Sequence, residues 1–234
     1  LIALILGFVV FTAVRKRQRG DAVIAAWTSS YVNAGNLGIP LSAYVFGSTT
    51  EISALILFQA AVMAPMGIAI LNSATTPRPS PARQVVALVT NPIIAASVLG
   101  LIFAAVGLKI EGPVADPLEL LADLAIPTVL LAFGISLTGG IGKAPPTNRG
   151  VLAITGLLKT LLMPVTAFAI ARWGFGADPE QVLLVTVLAA LPSAQNINTY
   201  AAVYRRNESL ARDATLISTA VSVPIIVSIV GILR

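Results

Sequence analysis

The sequence predicts an all-α polytopic membrane protein: eight spans of a ten-helix architecture made of two inverted five-helix repeats, with two crossed broken helices. Three observations predict it. The composition is strongly apolar, Lys and Arg collect in alternate connections, and two apolar spans are interrupted by polar and helix-breaking residues 160 positions apart.

Of 234 residues, 56% are hydrophobic and 11% charged, with a mean hydropathy of +0.90, whereas an ordinary soluble domain is about 25% charged. There is no Cys and no His, which removes disulfides, thiolate chemistry and the usual zinc and haem ligands. No metal or cofactor is therefore expected. The spans carry no paired-acid, Ser-His or metal constellation, so the chain does not read as an enzyme, and no P-loop points to direct use of ATP. The formal charge of +5 does not read as nucleic-acid binding, because the position of each basic residue follows the loops. The expected partner is a lipid bilayer.

Runs of about 20 apolar residues mark spans near 1–14, 22–47, 53–72, 85–107, 117–138, 150–172, 180–204 and 210–233. The first is truncated, and its basic cluster Arg15, Lys16, Arg17 and Arg19 follows the apolar run, unlike the order in a signal peptide. Short connectors such as Thr76-Pro77-Arg78-Pro79-Ser80-Pro81 and Lys143-Ala144-Pro145-Pro146 carry turn chemistry. One side of the membrane receives Arg15, Lys16, Arg17, Arg19, Arg78, Arg83, Lys143, Arg149, Arg205, Arg206 and Arg212, and the other only Lys109, Arg172 and Arg234. The rich side is cytoplasmic by the positive-inside rule. Trp27 and Trp173 fall near span ends and read as interface anchors. Pro65, Pro127, Pro164 and Pro224 read as kinks.

The two interruptions are Asn33-Ala34-Gly35-Asn36-Leu37-Gly38-Ile39-Pro40 and Pro192-Ser193-Ala194-Gln195-Asn196-Ile197-Asn198. Setting Asn36 over Asn196 sets Tyr44 over Tyr204, and at an offset of 159 Ala61-Val62-Met63-Ala64-Pro65 lies over Ala220-Val221-Ser222-Val223-Pro224. The charge count sends the two interrupted spans in opposite directions, which makes the repeat an inverted one. Residues 1–83 then hold the third to fifth helices of the first repeat, and residues 84–234 the whole second repeat. The offset places roughly 75 residues, carrying two more spans, before Leu1.

A helix opened in mid-membrane is tolerable only where its backbone lines a buried or watery cavity, and paired breaks in inverted repeats point to a carrier's binding site. Opening leaves N–H groups at the start of one half-helix and carbonyls at the end of the other, so an anion is favoured at the former. The candidate substrate-binding residues are Asn33, Asn36, Gly38 and Pro40 in the first break and Gln195, Asn196 and Asn198 in the second, since side-chain amides both donate and accept. Gln59 either reaches the break or ties two helices together. Lys159 lies about 13–14 Å into its span and Asp123 about 9 Å into its own. Ionisable groups at depth are costly and usually functional, so both are candidates for coupling or counter-charge.

These residues carry a resemblance. The stretch Asn33 to Leu41, Gln59, Asn91-Pro92, Pro127 with Gly134, Lys159 with Pro164, and Asn196 with Ala201 and Tyr204 resemble the auxin efflux carrier family, bacterial organic acid permeases among them. The short connector between the third and fourth spans is similar to that of prokaryotic members. The resemblance implies a bile acid sodium symporter-like fold of scaffold and transport domains, a multi-pass place in the bacterial inner (cytoplasmic) membrane, and carriage of small organic anions. A homodimer through the scaffold domain is a further expectation. The function expected is secondary transport of a mono- or dicarboxylate by alternating access around a midplane crossover. The alternatives are an anion channel and a sodium-coupled organic anion symporter.

Overall fold

A computed structural model describes residues 2–14, 19–73, 80, 82, 86, 99, 102–103, 106–108, 110–139 and 147–234. Asn91-Pro92, most of the span expected at 85–107, and Arg15, Lys16, Arg17, Arg78, Arg83, Lys109 and Lys143 lie outside the described residues. In chain order the helices are α1 (Ile2–Val9), α2 (Arg19–Ser30), α3 (Ile39–Phe46), α4 (Thr50–Phe58), α5 (Ala64–Ser73), α6 (Ala115–Gly139), α7 (Arg149–Leu157), α8 (Met163–Ala169), α9 (Pro179–Ala190), α10 (Asn196–Tyr204) and α11 (Glu208–Leu233). Among the described residues there is no strand, only one isolated bridge. Among the described residues, three continuous helical stretches, Thr50–Leu71, Arg149–Gly174 and Glu208–Leu233, are long and apolar enough to cross a membrane. The span expected at 117–138 is the single helix α6.

The chain divides into two compact units, residues 1–34 with 140–234, and residues 35–139. In the first, α2 is the central helix, packed against α1, α7, α10 and α11. Its approach to α1 depends on Gly7, because a Cβ there would lie 3.1 Å from the Cα of Ala26. Small residues at such a contact let two backbones close up where dispersion, not water exclusion, holds helices together. Below it, Phe11, Ala22, Ala25, Val151, Leu210 and Ala214 form an apolar plug. Sequence signals set the helix ends here. Asp178 accepts from the Gln181 N–H at 2.9 Å ahead of Pro179 in the first turn of α9, and Asn148 accepts from Gly150 and Val151 at the start of α7.

Trp27 departs from its expected place as an interface anchor. It is 1% exposed, with its ring 5.0 Å from Tyr200 and 6.1 Å from Tyr31. The reason is that α2 is covered on several sides by other helices, so closeness to a span end does not bring the indole to the headgroups. Trp173, by contrast, is 76% exposed.

The second unit contains α3 to α6. Gly47 ends α3 at φ +67, the left-handed cap that glycine adopts without steric cost. Ile52, Met63, Ala64 and Leu71 are buried, while Leu118, Leu120, Leu121, Leu124 and Leu131 of α6 are exposed.

Two of the prolines act through a wider turn. α4 joins α5 through a π-turn, Gln59–Met63, closed by Ala64 N–H to Gln59 O, and α7 joins α8 through Leu158–Leu162, closed by Met163 N–H to Leu158 O. In both, the proline, Pro65 or Pro164, stands six positions after the turn begins. Because proline lacks an N–H and its ring crowds the preceding turn, the helix widens just ahead of it. Pro127 and Pro224 sit inside unwidened helices.

Candidate functional site

The first unit contains both openings of the backbone. α2 stops at Ser30, and its last bond runs from Tyr31 N–H to Trp27 O. Had the helix continued, Asn33 N–H would reach Ser29 O. It donates instead to Pro192 O at 2.8 Å, while Ala194 N–H donates to Tyr31 O at 2.9 Å. These bonds flank Val32 and Ser193, which form an antiparallel bridge. The two interrupted stretches therefore cross and pair main chain to main chain, each supplying groups that the other's helix has lost.

Both backbones open earlier than the expected stretches of Asn33–Pro40 and Pro192–Asn198. The extended residues centre on Val32 and on Leu191–Ser193, while Ala34–Gly38 is already a π-turn and Asn196 begins α10. Pro40 is in the first turn of α3, where a missing N–H costs nothing, so it starts a helix and does not break one. At the second break Leu191 takes φ −53 and ψ 146, the extended conformation that a residue before proline prefers.

Hydroxyl groups complete the crossing. Ser193 Oγ donates to Thr28 O at 2.6 Å, and Ser193 N–H donates to Ser218 Oγ at 3.0 Å. Thr28, Ser29 and Ser30 return their own hydroxyls to Ala25 O and Ala26 O. Asn198 Nδ2 donates to Gln195 O at 3.2 Å and to Thr215 Oγ1 at 3.4 Å. The Asn196 and Tyr31 side chains share a hydrogen bond, and Asn196 is exposed. Lys159, 1% exposed, donates to Ala189 O at 3.0 Å and to Met163 Sδ at 3.5 Å.

The expected site residues thus divide. Asn33, Lys159, Gln195, Asn196 and Asn198 belong to the first unit, around the crossing. Asn36, Gly38, Pro40, Gln59 and Asp123 belong to the second. There, Asn36 is half-buried and Gly38 buried on the π-turn Ala34–Gly38, Gln59 is buried on its own π-turn, and Asp123 is exposed on α6.

Sequence reasoning did not single out Tyr31, Thr28, Thr215 or Ser218, and it passed over Ser193 inside the second break. One signal was available: Ala211, Thr215, Ser218 and Ser222 recur at helical spacing on α11, a small and polar stripe on an otherwise apolar span. Chemically, the start of α10 sets the positive end of a helix beside the exposed amide of Asn196 and the phenol of Tyr31 that it bonds, a set that suits a carboxylate.

An apolar multi-helix chain in which two helices are broken at one crossing defines the class of membrane transport proteins. The chain belongs to the auxin efflux carrier family: it matches the family described as "Membrane transport protein" over residues 1–230. A relative from Rhizobium meliloti (strain 1021), named "Putative malonate transporter", is 25% identical over 235 residues, covering 97% of this chain and 72% of its own length.

Proposed function

We propose that the protein is a secondary carrier that moves a small organic anion, a mono- or dicarboxylate, across the bacterial cytoplasmic membrane by alternating access around the crossing. The observation that carries this reading is the main-chain pairing of Val32 with Ser193. Open backbone at such a place is tolerated where it serves a site. The offset of 160 lays Val32 over Pro192 and Asn33 over Ser193, so the four residues at the crossing are those an inverted repeat makes equivalent. The carboxylate is held at the start of α10 by Asn196, with Asn33 contributing from the first break and Asn198, bonded to Gln195 O and Thr215 Oγ1, bracing the turn. The name of the Rhizobium relative supports a dicarboxylate as the first substrate to try.

Full-length protein in liposomes tests this. Saturable malonate uptake with counterflow is expected, and Asn196→Ala lowers it by about tenfold or more, the factor that one lost hydrogen bond to a charged ligand produces. Unsaturable flux with single-channel currents would establish a channel instead.

A further inference from the structure

The second break separates two groups that an intact α9 would have joined, since Ser193 N–H would have bonded Ala189 O four residues back. Each has a replacement from another helix. Ser193 N–H takes Ser218 Oγ of α11 at 3.0 Å, and Ala189 O takes Lys159 Nζ at 3.0 Å. Lys159 stands on the π-turn Leu158–Leu162, which packs against α1, α2, α9 and α11, and it is 1% exposed. No carboxylate among the described residues pairs with it. Its electrostatic partner is therefore the carbonyl end of α9, which carries about half a negative charge.

The same break is tied to α2 by Ser193 Oγ on Thr28 O. The carbonyl end of a broken helix is where a carrier recruits a cation. Here the cation is covalently attached. Lysine suits this task because its ammonium is a compact charge with three donors on a long apolar stem.

We propose that Lys159 is a resident cation clamped on the C-terminal end of α9, holding the second break open in its binding shape, so that anion binding at the crossing needs no dissolved sodium. It acts as a positioning residue and does not touch substrate. The inference rests on the carrier reading above for its transport consequence, but the clamp itself is testable without transport.

The test uses full-length protein, first in liposomes containing choline or sodium chloride. Malonate uptake by the unaltered protein should be equal in the two salts, and a requirement for sodium overturns the proposal. Lys159→Met keeps length and removes the donors, and should lower uptake by more than about tenfold, as the loss of a charged hydrogen bond dictates. Uptake within about twofold of the unaltered protein overturns it, since that gap is far smaller than one such bond. Lys159→Ala should be inactive but partly restored by millimolar ethylammonium, which refills the cavity with an ammonium. Lys159→Met, with its cavity occupied, should not be. A folded Lys159→Ala protein that ethylammonium leaves inactive contradicts a cation's role.

Should the unaltered protein transport no carboxylate, the carrier reading falls and the clamp is judged on thermal unfolding alone. Ethylammonium should then raise the melting temperature of Lys159→Ala and leave Lys159→Met unmoved. Equal responses of the two variants sink the clamp. Should a variant not fold, the salt comparison on the unaltered protein decides.

Discussion

The two breaks are alike in sequence and differ in what holds them. Each follows a helix of 12 residues, α2 or α9. At the first break, Asn33 N–H goes to Pro192 O and Thr28 O receives Ser193 Oγ, so its released groups are met by the second break. At the second, Ala189 O and Ser193 N–H are met by Lys159 and Ser218, on helices outside either break. The main-chain pairing is mutual, since Ala194 N–H of the second break goes to Tyr31 O of the first, but the second break is in addition splinted by its surroundings. A buried polar group costs most when its partner is removed and nothing replaces it, so the splints of the second break are where its shape is decided.

Substitutions that break or sharpen this contrast follow from the hydrogen-bond accounting. Ser218→Ala strands the buried Ser193 N–H and should cost about 1–3 kcal/mol, read as a lowered melting temperature in detergent together with weaker malonate binding. At the first break Ser29→Ala should change stability by less than about 0.5 kcal/mol, because the lost hydroxyl only returns to Ala25 O within its own helix. If Ser29→Ala proves as costly as Ser218→Ala, the asymmetry is wrong.

Much of this architecture was legible in the residues. Side-chain amides clustered with glycine or proline inside apolar runs located both interruptions, whereas a proline alone, as at Pro127 or Pro224, is carried by an intact helix. The exact openings were not legible, since Pro40 reads equally as a breaker and as a first-turn residue, and only the fold decides between them. Trp27 was misplaced because its distance from a span end was weighed and its packing was not. Lys159 was visible as a deep charge, yet its acceptor is the backbone of Ala189, a group that every residue carries and no pattern marks. The π-turns were half legible. Pro65 and Pro164 widen their helices and Pro127 and Pro224 do not, and the residue type alone does not separate the pairs. Gln59 and Lys159 both stand on the widened turns, whereas Asp123, the other ionisable group singled out at depth, stands on α6.

The pairing of the two breaks is the claim on which the rest depends, and the chain's lack of cysteine allows a direct test. Val32 and Ser193 lie opposite each other between the two cross-strand bonds, a position where Cα atoms approach to about 4.5 Å, within the range a disulfide bridges. The Val32→Cys, Ser193→Cys protein should form an intramolecular crosslink under mild oxidation in membranes, identified by mass spectrometry of the joined peptides. Two thiols that stay unlinked under oxidation, while each is labelled by a maleimide, would show that the breaks do not meet and would contradict the account.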